Sequence, residues 1–508
     1  MLSLPTELLI NIFQDPSLSS ATLYTLATVS RRLHLVAVPI LLAQNGLTDE
    51  TRSMVINMQE DGMDAVSALS IALYELPKIE KLTVTLPHPT SLSSQRIHGL
   101  LPHLARLTRL FSTRLSCVLC VNIHLDAQRY RKVLVAGDED AGLDLWIQHV
   151  EALLASILSS TCASLGLHHG AFFTVPTRRR EMQAQRGVLR WLWSKAPKPA
   201  IGLKLPPRRQ PSLAALNVNS LVFIKGPALR WTLSAFQKCS ITSLVLNMRL
   251  LSLTQWPPVL EAILSVAPKL VSLALTETQT YPLDQLAHWS AKFPGLRSLT
   301  IGWRDEGIEA DLPNDAGILP LTYTTLETIR APPIFLRHLL THPGPSGCRI
   351  PNICRVFVYW IPTLWARTEP PALAAKLSQL MQLFADKAPA LHPAFGVKME
   401  VIALWDRKEG PTSSAGTGYD ELDASLRAAL DRVSALEIDV LPIPEELTGI
   451  GLWLSSFPQA EAVRIDLGDT IPKQFEVPRL LKRLAVETTF SKVKINGMEH
   501  PLRRHGSA

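Results

Sequence analysis

The feature that most constrains the fold is a short apolar pattern that returns at nearly regular intervals. It reads apolar-x-x-apolar-x-apolar, and copies starting at Ile241, Leu270, Leu296, Leu326 and Ile353 lie 26 to 30 residues apart. Each copy has the alternation expected of a strand with one buried face. One strand and its following helix cannot bury their own apolar surface, so neighbouring copies must stack. The pattern therefore predicts an α/β fold built as a solenoid, in which each unit contributes one strand and one helix.

Further copies lie on both sides of this series. They start at Ile79, Val433, Val463 and Leu481, and additional strands are predicted at 131–135, 165–167 and 397–404. The intervals predict helices at 143–158, 258–266, 283–292, 372–388 and 422–430. The period is close to the 20–29 residues of leucine-rich repeats, and leucine is about one residue in six, but a regular asparagine ladder is missing. We expect an irregular leucine-rich-repeat-like solenoid, with a conventional multi-domain α/β protein as the alternative.

The first 45 residues predict three short helices. Leu8, Leu9, Ile12 and Phe13 form a helical stripe behind Pro5, a residue suited to the first turn of a helix. The dipeptide at 15–16 ends that helix, because the residue before proline disfavours the α conformation. A second helix follows the serines at 19–20, and a third runs over 31–42 with a proline inside it.

This N-terminal segment resembles an F-box. The resemblance rests on the string LPTELLINIF at 4–13 and on LATVSRRLH at 26–34 followed by AVPILL at 37–42. Two positions depart from the usual pattern: Leu33 stands where many members carry an aromatic residue, and the segment begins almost at Met1. Three short helices bury too little surface to be stable alone, so their surplus apolar side chains predict a partner interface. A generic three-helix subdomain is the alternative.

The resemblance implies a Skp-type adaptor and, through it, a cullin–RING ubiquitin ligase as partners, with an unknown protein substrate on the solenoid. The residues expected to form or support the adaptor contact are Leu4, Pro5, Leu8, Leu9, Ile12, Phe13, Val29, Leu33, Ala37, Pro39 and Leu41. Tryptophans that follow strands or lie in loops are candidates for target binding, namely Trp303, Trp360, Trp365 and Trp405. Edge or core packing is the alternative role for these four residues.

Charge divides the chain further. The formal net charge is +7, but residues 176–211 alone carry ten basic residues and one acid. This segment is either a solvated insertion or a contact for an acidic protein, a nucleic acid or an anionic membrane. Charge runs commonly form solvated faces, and no nucleic-acid-binding motif accompanies this one, so we favour the solvated insertion and expect neither a nucleic acid nor a membrane as a partner. The predicted domains are an F-box at 1–45, a helical linker with first irregular repeats at 46–175, the basic insertion at 176–211, the solenoid at 212–498 and a flexible tail at 499–508.

The sequence predicts no catalytic site, no metal site and no cofactor. Phosphate-binding loops, His-Glu-x-x-His and Gly-x-Ser-x-Gly patterns are missing, so we expect a non-catalytic protein. The only Cys-x-x-Cys pair, Cys117 and Cys120, has apolar neighbours and lacks a nearby second pair, so buried thiols are favoured over zinc. The six cysteines and the absence of a signal-like or membrane-spanning stretch predict a soluble, thiol-reduced protein of the cytoplasm, the nucleus or both. A repeat scaffold with no ligase role, or a thiol- or metal-dependent enzyme, are the competing functions.

Overall fold

The structure is a computed structural model of the whole chain, and the chain forms two compact units, Met1–Leu270 and Val271–Ala508. The residues that the structure describes are 4–44, 53–58, 65–72, 79–86, 94–113, 115, 118–125, 141–169, 212–224, 229–278, 281–302, 322–341, 349–360, 370–387, 399–405, 424–431, 433–440, 454–455, 457–466, 477–488, 490–495 and 498–502.

The first unit begins with three helices and then alternates strands with helices. Its strands are β1 (Ser53–Asn57), β2 (Lys81–Leu86), β3 (Cys120–Leu125), β4 (Ser164–His169), β5 (Ala215–Asn219) and β6 (Ser243–Asn247). Its helices are α1 (Thr6–Phe13), α2 (Ser20–Val29), α3 (Arg31–Gln44), α4 (Ala65–Ile71), α5 (Ser94–Thr113), α6 (Ala141–Leu158), α7 (Leu229–Lys238) and α8 (Trp256–Val266). Within this unit β1 to β6 pair in parallel in chain order, β1 with β2 through to β5 with β6.

The second unit continues the same scheme. Its strands are β7 (Ser272–Thr276), β8 (Ser298–Ile301), β9 (Thr328–Ala331), β10 (Arg355–Trp360), β11 (Met399–Trp405), β12 (Val433–Val440), β13 (Ala462–Asp466), β14 (Lys492–Ile495) and β15 (Met498–Pro501). Its helices are α9 (Leu283–Ala291), α10 (Pro333–Thr341), α11 (Pro370–Lys387), α12 (Ala424–Leu430) and α13 (Val477–Glu487). Strands β7 to β14 pair in parallel in chain order, and only β15 runs antiparallel to its neighbour among these described strands.

One backbone contact repeats from strand to strand. Leu119 lies immediately before β3, and its carbonyl accepts from the backbone N–H groups of Ala163 and Ser164 at 2.8 and 3.1 Å. The Arg297 carbonyl receives the N–H groups of Glu327 and Thr328 in the same way, both at 2.9 Å. The carbonyls that directly precede five other strands accept two successive N–H groups in the same way, namely those of Glu80, Ala163, Ala214, Val271 and Glu327. Because the carbonyl before each of these strands accepts from the residues at the start of the next strand, these strand pairs share one register.

The predicted apolar positions form the core beneath these strands. In β6 to β10 the first, fourth and sixth positions of the repeat are buried, for example Leu270, Leu273 and Leu275. Burying each such side chain contributes about 1.5–3 kcal/mol. The strand predictions at 79–84, 165–167, 397–404, 433–438 and 463–465 and the five predicted helices agree with the observed elements to within a few residues.

One predicted strand is wrong. The copy at Leu481, Leu484 and Val486 lies in α13. Leu480 and Leu484 in this helix and Thr488 directly after it are buried at intervals of four residues, whereas Val486 is 78% exposed. The true strand β14 follows, and it carries the same pattern as Phe490, Val493 and Ile495. A three-residue spacing fits both a helix and the repeat, so the pattern alone could not separate them.

Strands β1, β3 and β5 were not predicted as repeats. Two of them carry the pattern, starting at Val118 for β3 and at Leu213 for β5, and these positions are buried. Long intervening segments lengthen the spacing around them and hide the period. The region 46–175, predicted as a helical linker with first irregular repeats, contains the four strands β1 to β4, and β15 occupies the start of the region predicted as a flexible tail. The strand predicted at 131–135 and the basic insertion at 176–211 lie outside the described residues.

Candidate functional site

The three N-terminal helices are joined by side-chain caps. Ser19 accepts the backbone N–H of Thr22 at 3.2 Å to start α2, and Ser30 accepts the N–H of Leu33 at 3.2 Å to start α3. Between α1 and α2 the Asp15 carboxylate accepts from the Ser17 N–H at 2.9 Å, and the Ser17 hydrogen bonds lower the pKa of Asp15. The turns between these helices are therefore fixed by short-range hydrogen bonds.

Longer contacts hold the helices against one another. Arg32 donates to the Leu4 carbonyl at the start of α1, and the buried His34 donates through Nδ1 to the Ala27 carbonyl at 3.0 Å. Helices α1 and α2 both pack against α3, and α3 also packs against α4. The proline inside α3 lies on an exposed face, so the interruption costs no packing.

Five of the residues predicted for the adaptor contact are in the core of this helical unit. They are Leu9, Phe13, Leu33, Ala37 and Leu41, each at most 3% exposed. They hold the three helices in place, so they can support an adaptor contact but cannot touch the adaptor themselves. The sequence could not separate support from contact, because both roles use the same apolar residue types.

The other six predicted residues reach the surface. Leu8, Ile12 and Val29 are 47%, 42% and 66% exposed, Pro5 and Pro39 are exposed, and Leu4 is half-buried. Leu8 and Ile12 are one helical turn apart, so they form a stripe beside the buried pair Leu9 and Phe13. We name Leu8 and Ile12, with Pro5 at the start of the helix, the α1 stripe.

Two exposed apolar residues of these helices were not predicted as contact residues. Ile10 is 37% exposed on α1, and Leu35 is 46% exposed on α3. Leu35 lies four residues before Pro39, so both are on one face of α3. That spacing was the signal available in the sequence. Residues 4–44 thus hold half of the large exposed apolar side chains found among the described residues, namely Leu8, Ile10, Ile12, Val29 and Leu35. Such a concentration is typical of a partner interface.

Comparison with known proteins matches this helical unit to a family. The F-box-like family model covers residues 1–44. Residues 1–44 are an F-box-like domain. The three helices, the caps and the α1 stripe described above are therefore features of that domain. Curated proteins give no match to the chain.

Among solved structures, the chain is similar to one described as the crystal structure of the Rad7 and Elc1 complex in yeast. The identity is 10% and the TM-score is 0.33, over 96% of this chain and 92% of that chain. A TM-score of this size does not establish a shared fold.

The predicted target-binding tryptophans divide into two pairs. Trp303 and Trp365 lie outside the described residues. Trp360 and Trp405 are the last residues of β10 and β11, where Trp360 is paired with Ala403 and Trp405 with Val440. Both thus lie at the carboxyl ends of neighbouring parallel strands, and their role in binding stays a prediction.

A row of polar side chains crosses the sheet of the first unit. His124 on β3 and His168 on β4 are paired in register, and their rings stack with centroids 4.7 Å apart and planes inclined by 23°. Asn219 and Asn247 follow on β5 and β6, and the Asn247 amide donates to the Asn219 oxygen at 2.7 Å. Nothing in the sequence indicated this row, because its members are spread over more than 120 residues.

The cysteines of the described residues do not assemble into a metal site. Cys117 lies outside the described residues, whereas Cys120 is half-buried on β3 and Cys162 is buried before β4. Burial raises the pKa of Cys162 to about 12 and that of Cys239 to about 11, so both stay protonated thiols near neutral pH. Within the described parts of the chain no group of three or more potential metal ligands is found, and no helix there is long and apolar enough to cross a membrane.

Proposed function

We propose that this protein is the substrate-recognition subunit of an SCF-type cullin–RING ubiquitin ligase. The F-box-like domain binds a Skp-type adaptor, and the repeated strand–helix units, of a leucine-rich-repeat-like kind, bind a protein target. The chain performs no bond chemistry in this role. It holds the target near the ubiquitin-loaded enzyme and so raises their effective concentration.

The observation that carries this proposal is the apolar surface of residues 1–44. The α1 stripe, together with Val29 and the Leu35–Pro39 face, exposes apolar side chains in a domain whose core is already filled. Apolar side chains at the centre of an interface commonly supply most of its binding free energy. The exposed residues are therefore the ones expected to touch the adaptor, and the five buried ones keep the helices in position.

The test is co-purification with a Skp-type adaptor after co-expression. Leu8→Asp combined with Ile12→Asp places two charges on the α1 stripe and should lower affinity for the adaptor by about a hundredfold or more, since each central contact is worth about 2 kcal/mol. Asn11→Asp with Gln14→Glu is the matched control, because it adds two charges to exposed positions in and directly after α1, outside the stripe. The control should bind like wild type.

The folding of the double variant decides how the result is interpreted. Both substituted side chains are more than two-fifths exposed, so the thermal unfolding transition should stay close to that of wild type. Wild-type protein that is folded but does not retain the adaptor would overturn the proposal and favour a repeat scaffold with no ligase role. Equal retention of wild type and the double variant would remove the α1 stripe from the interface.

A further inference from the structure

The apolar surface proposed to bind the adaptor is divided among three helices. The α1 stripe belongs to α1, Val29 ends α2, and the Leu35–Pro39 face belongs to α3. Helices α1 and α2 both pack against α3. A single contact that uses all three helices therefore requires α1 to keep a fixed position on α3.

The two halves of α1 are held unequally. Leu9 and Phe13 are fully buried and fix the second half of the helix. Residues 5–8 are all exposed, so the first turn contributes no side chain to the core. Ile12 lies in the part of the helix between the two buried residues, whereas Pro5 and Leu8 lie before it.

The first turn of α1 also lacks a side-chain cap. Pro5 is at the N-cap position and makes no side-chain hydrogen bond, whereas Ser19 and Ser30 cap the starts of α2 and α3. The first N–H groups of a helix have no partner inside it, and a helix of eight residues is marginal in isolation. The first turn of α1 therefore depends on contacts from outside the helix.

Arg32 provides such a contact. Its guanidinium Nη2 donates to the backbone carbonyl of Leu4, the residue directly before Pro5. Arg32 is half-buried and lies in the first turn of α3, two residues after the capping Ser30. A hydrogen bond from a charged donor is roughly twice as strong as one between neutral groups. This bond ties the chain that enters α1 to the helix on which α1 packs.

We propose that Arg32 is a positioning residue of the adaptor contact, and that through the Leu4 carbonyl it holds Pro5 and Leu8 in the place that the adaptor requires. This inference rests on the proposed function, because it assigns a residue that supports the same site. Arg32 acts through the first turn of α1, and the α1 stripe makes the contact. Without Arg32 the first turn adopts other positions, and the apparent affinity falls with the fraction of molecules in the competent one.

The first test is the affinity of the full chain for a purified Skp-type adaptor, measured by isothermal titration calorimetry. Arg32→Gln should weaken binding about tenfold, since it removes the charged donor that holds the first turn. Arg31→Gln is the matched control, because Arg31 is the exposed neighbour and loses the same charge. The control should bind like wild type, and equal affinities of the two variants would overturn the proposal.

A double-mutant cycle separates positioning from direct contact. Leu8→Ala should weaken binding much less in the Arg32→Gln background than in wild type, because Leu8 is already displaced there. Ile12→Ala should weaken binding equally in both backgrounds, since Leu9 and Phe13 hold that part of α1. Independent effects of Arg32→Gln and Leu8→Ala would show that Arg32 does not act through the first turn. Coupling of the same size at both positions would show that it supports the whole helix, and either result would overturn the proposal.

Hydrogen exchange of the free protein tests the same step without the adaptor. The Leu9 N–H donates to the Pro5 carbonyl at 3.2 Å, and the Gln14 N–H donates to the Ile10 carbonyl at 2.9 Å. In Arg32→Gln the Leu9 amide should exchange faster, because the first turn opens more often, while the Gln14 amide keeps its wild-type rate. An unchanged rate at Leu9 would contradict the proposal.

The folding of the variant and the binding of wild type decide between the possible failures. If Arg32→Gln loses the wild-type unfolding transition, Arg32→Met takes its place with the same expected results, because it keeps an apolar stem and removes the donor. Failure of folded wild type to bind the adaptor would count against the proposed function. The exchange rates at Leu9 and Gln14 would still decide whether Arg32 holds the first turn of α1.

Discussion

Gly302 shows how strongly a single residue can depend on the neighbouring strand. Its N–H donates to the Leu275 carbonyl at 2.6 Å, and the Thr278 hydroxyl donates to its carbonyl at 3.3 Å. A β-carbon there would lie 2.8 Å from the Thr276 Cα and 3.1 Å from the Leu275 oxygen. These are backbone atoms, so they cannot move aside as the end of a side chain can. The close contact lies at the end of β7, where Glu277, the residue after Thr276, has a positive φ of 55°.

Gly302→Ala should therefore destabilise the protein by about 1–3 kcal/mol, the usual range for overpacking a close contact. Urea unfolding followed by circular dichroism measures the change. Ser272→Ala is the control, since it changes a half-buried residue at the start of β7 and adds no atoms near the backbone. A stability of Gly302→Ala equal to that of the control would show that β8 can move away from β7 at little cost.

At the same scale the sequence predicted the apolar residues of the F-box-like domain but not their division. Leu8 and Leu9 are neighbours of the same type, yet one is 47% exposed and the other fully buried. The helix turns by about 100° between them, and only the position of α3 decides which of the two faces it. Contact and core residues could therefore be distinguished only in the folded unit.

Among the elements, α9 and α10 of the second unit are linked through the buried His338 and the half-buried Asp284. The Asp284 carboxylate lies 3.1 Å from His338 Nε2, and the Arg349 guanidinium lies 3.4 Å from the same nitrogen. The Tyr323 hydroxyl contacts Ser290 Oγ at 2.6 Å and the Ala287 carbonyl at 2.9 Å. Tyr323 precedes β9 and so ties the segment before a strand to helix α9. The repeat pattern did not reveal this link, because none of these polar residues belongs to it.

Tyr323→Phe should lower the free energy of unfolding by about 1 kcal/mol at pH 7, the usual worth of a lost hydrogen bond. Burial also raises the pKa of Tyr323 well above its ordinary value, so the folded state keeps the proton while the unfolded state loses it near pH 10. The wild type thus keeps this contribution below pH 10 and loses stability as the pH rises beyond it, by up to about 1.4 kcal/mol per pH unit. The phenylalanine variant has no such proton.

Urea titrations at pH 7, 9, 10 and 11 compare the two proteins. Their difference in stability should be constant up to pH 9 and should shrink above pH 10. Thr325→Val, which also removes a hydroxyl of this segment but introduces no change in ionisation, is the control. Parallel curves for wild type and Tyr323→Phe up to pH 11 would show that Tyr323 ionises as readily in the folded state as in the unfolded one.

On the scale of the whole molecule, the F-box-like domain is joined to the repeats through a helix outside its own boundaries. Helices α2 and α3 both contact α4, which lies beyond the family match at residues 1–44. Helix α3 buries two stripes, one through Leu33, Ala37 and Leu41 and one through His34, Val38 and Leu42. A unit of three helices has too little surface to cover both stripes alone.

A peptide of residues 1–44 should therefore show weak helicity and no cooperative melting, whereas residues 1–72, which include α4, should melt cooperatively at a higher temperature. Circular dichroism against temperature measures both. Residues 1–72 with Leu69→Asp, a change at a buried position of α4, should behave like the shorter peptide. Equal melting of the 1–44 and 1–72 peptides would show that the F-box-like domain folds independently of α4.

The sequence by itself determined the repeated strand–helix scheme, most helix and strand positions, and the helical N-terminal unit. These follow from local rules: the period of apolar residues selects strand or helix, and prolines and capping serines set the ends. Where two periods overlap, as at Leu481 and Leu484, the local rule fails, because neighbouring elements decide which face is buried.

Only the tertiary structure decided which apolar residues reach the surface and which polar residues meet. His124 and His168 are 44 residues apart, and it is the parallel register of β3 and β4 that stacks their rings. In the same way, packing against α3 buries Leu9 and leaves Leu8 and Ile12 exposed. Contacts between distant residues depend on register and packing, and these are properties of assembled elements that no local stretch of sequence contains.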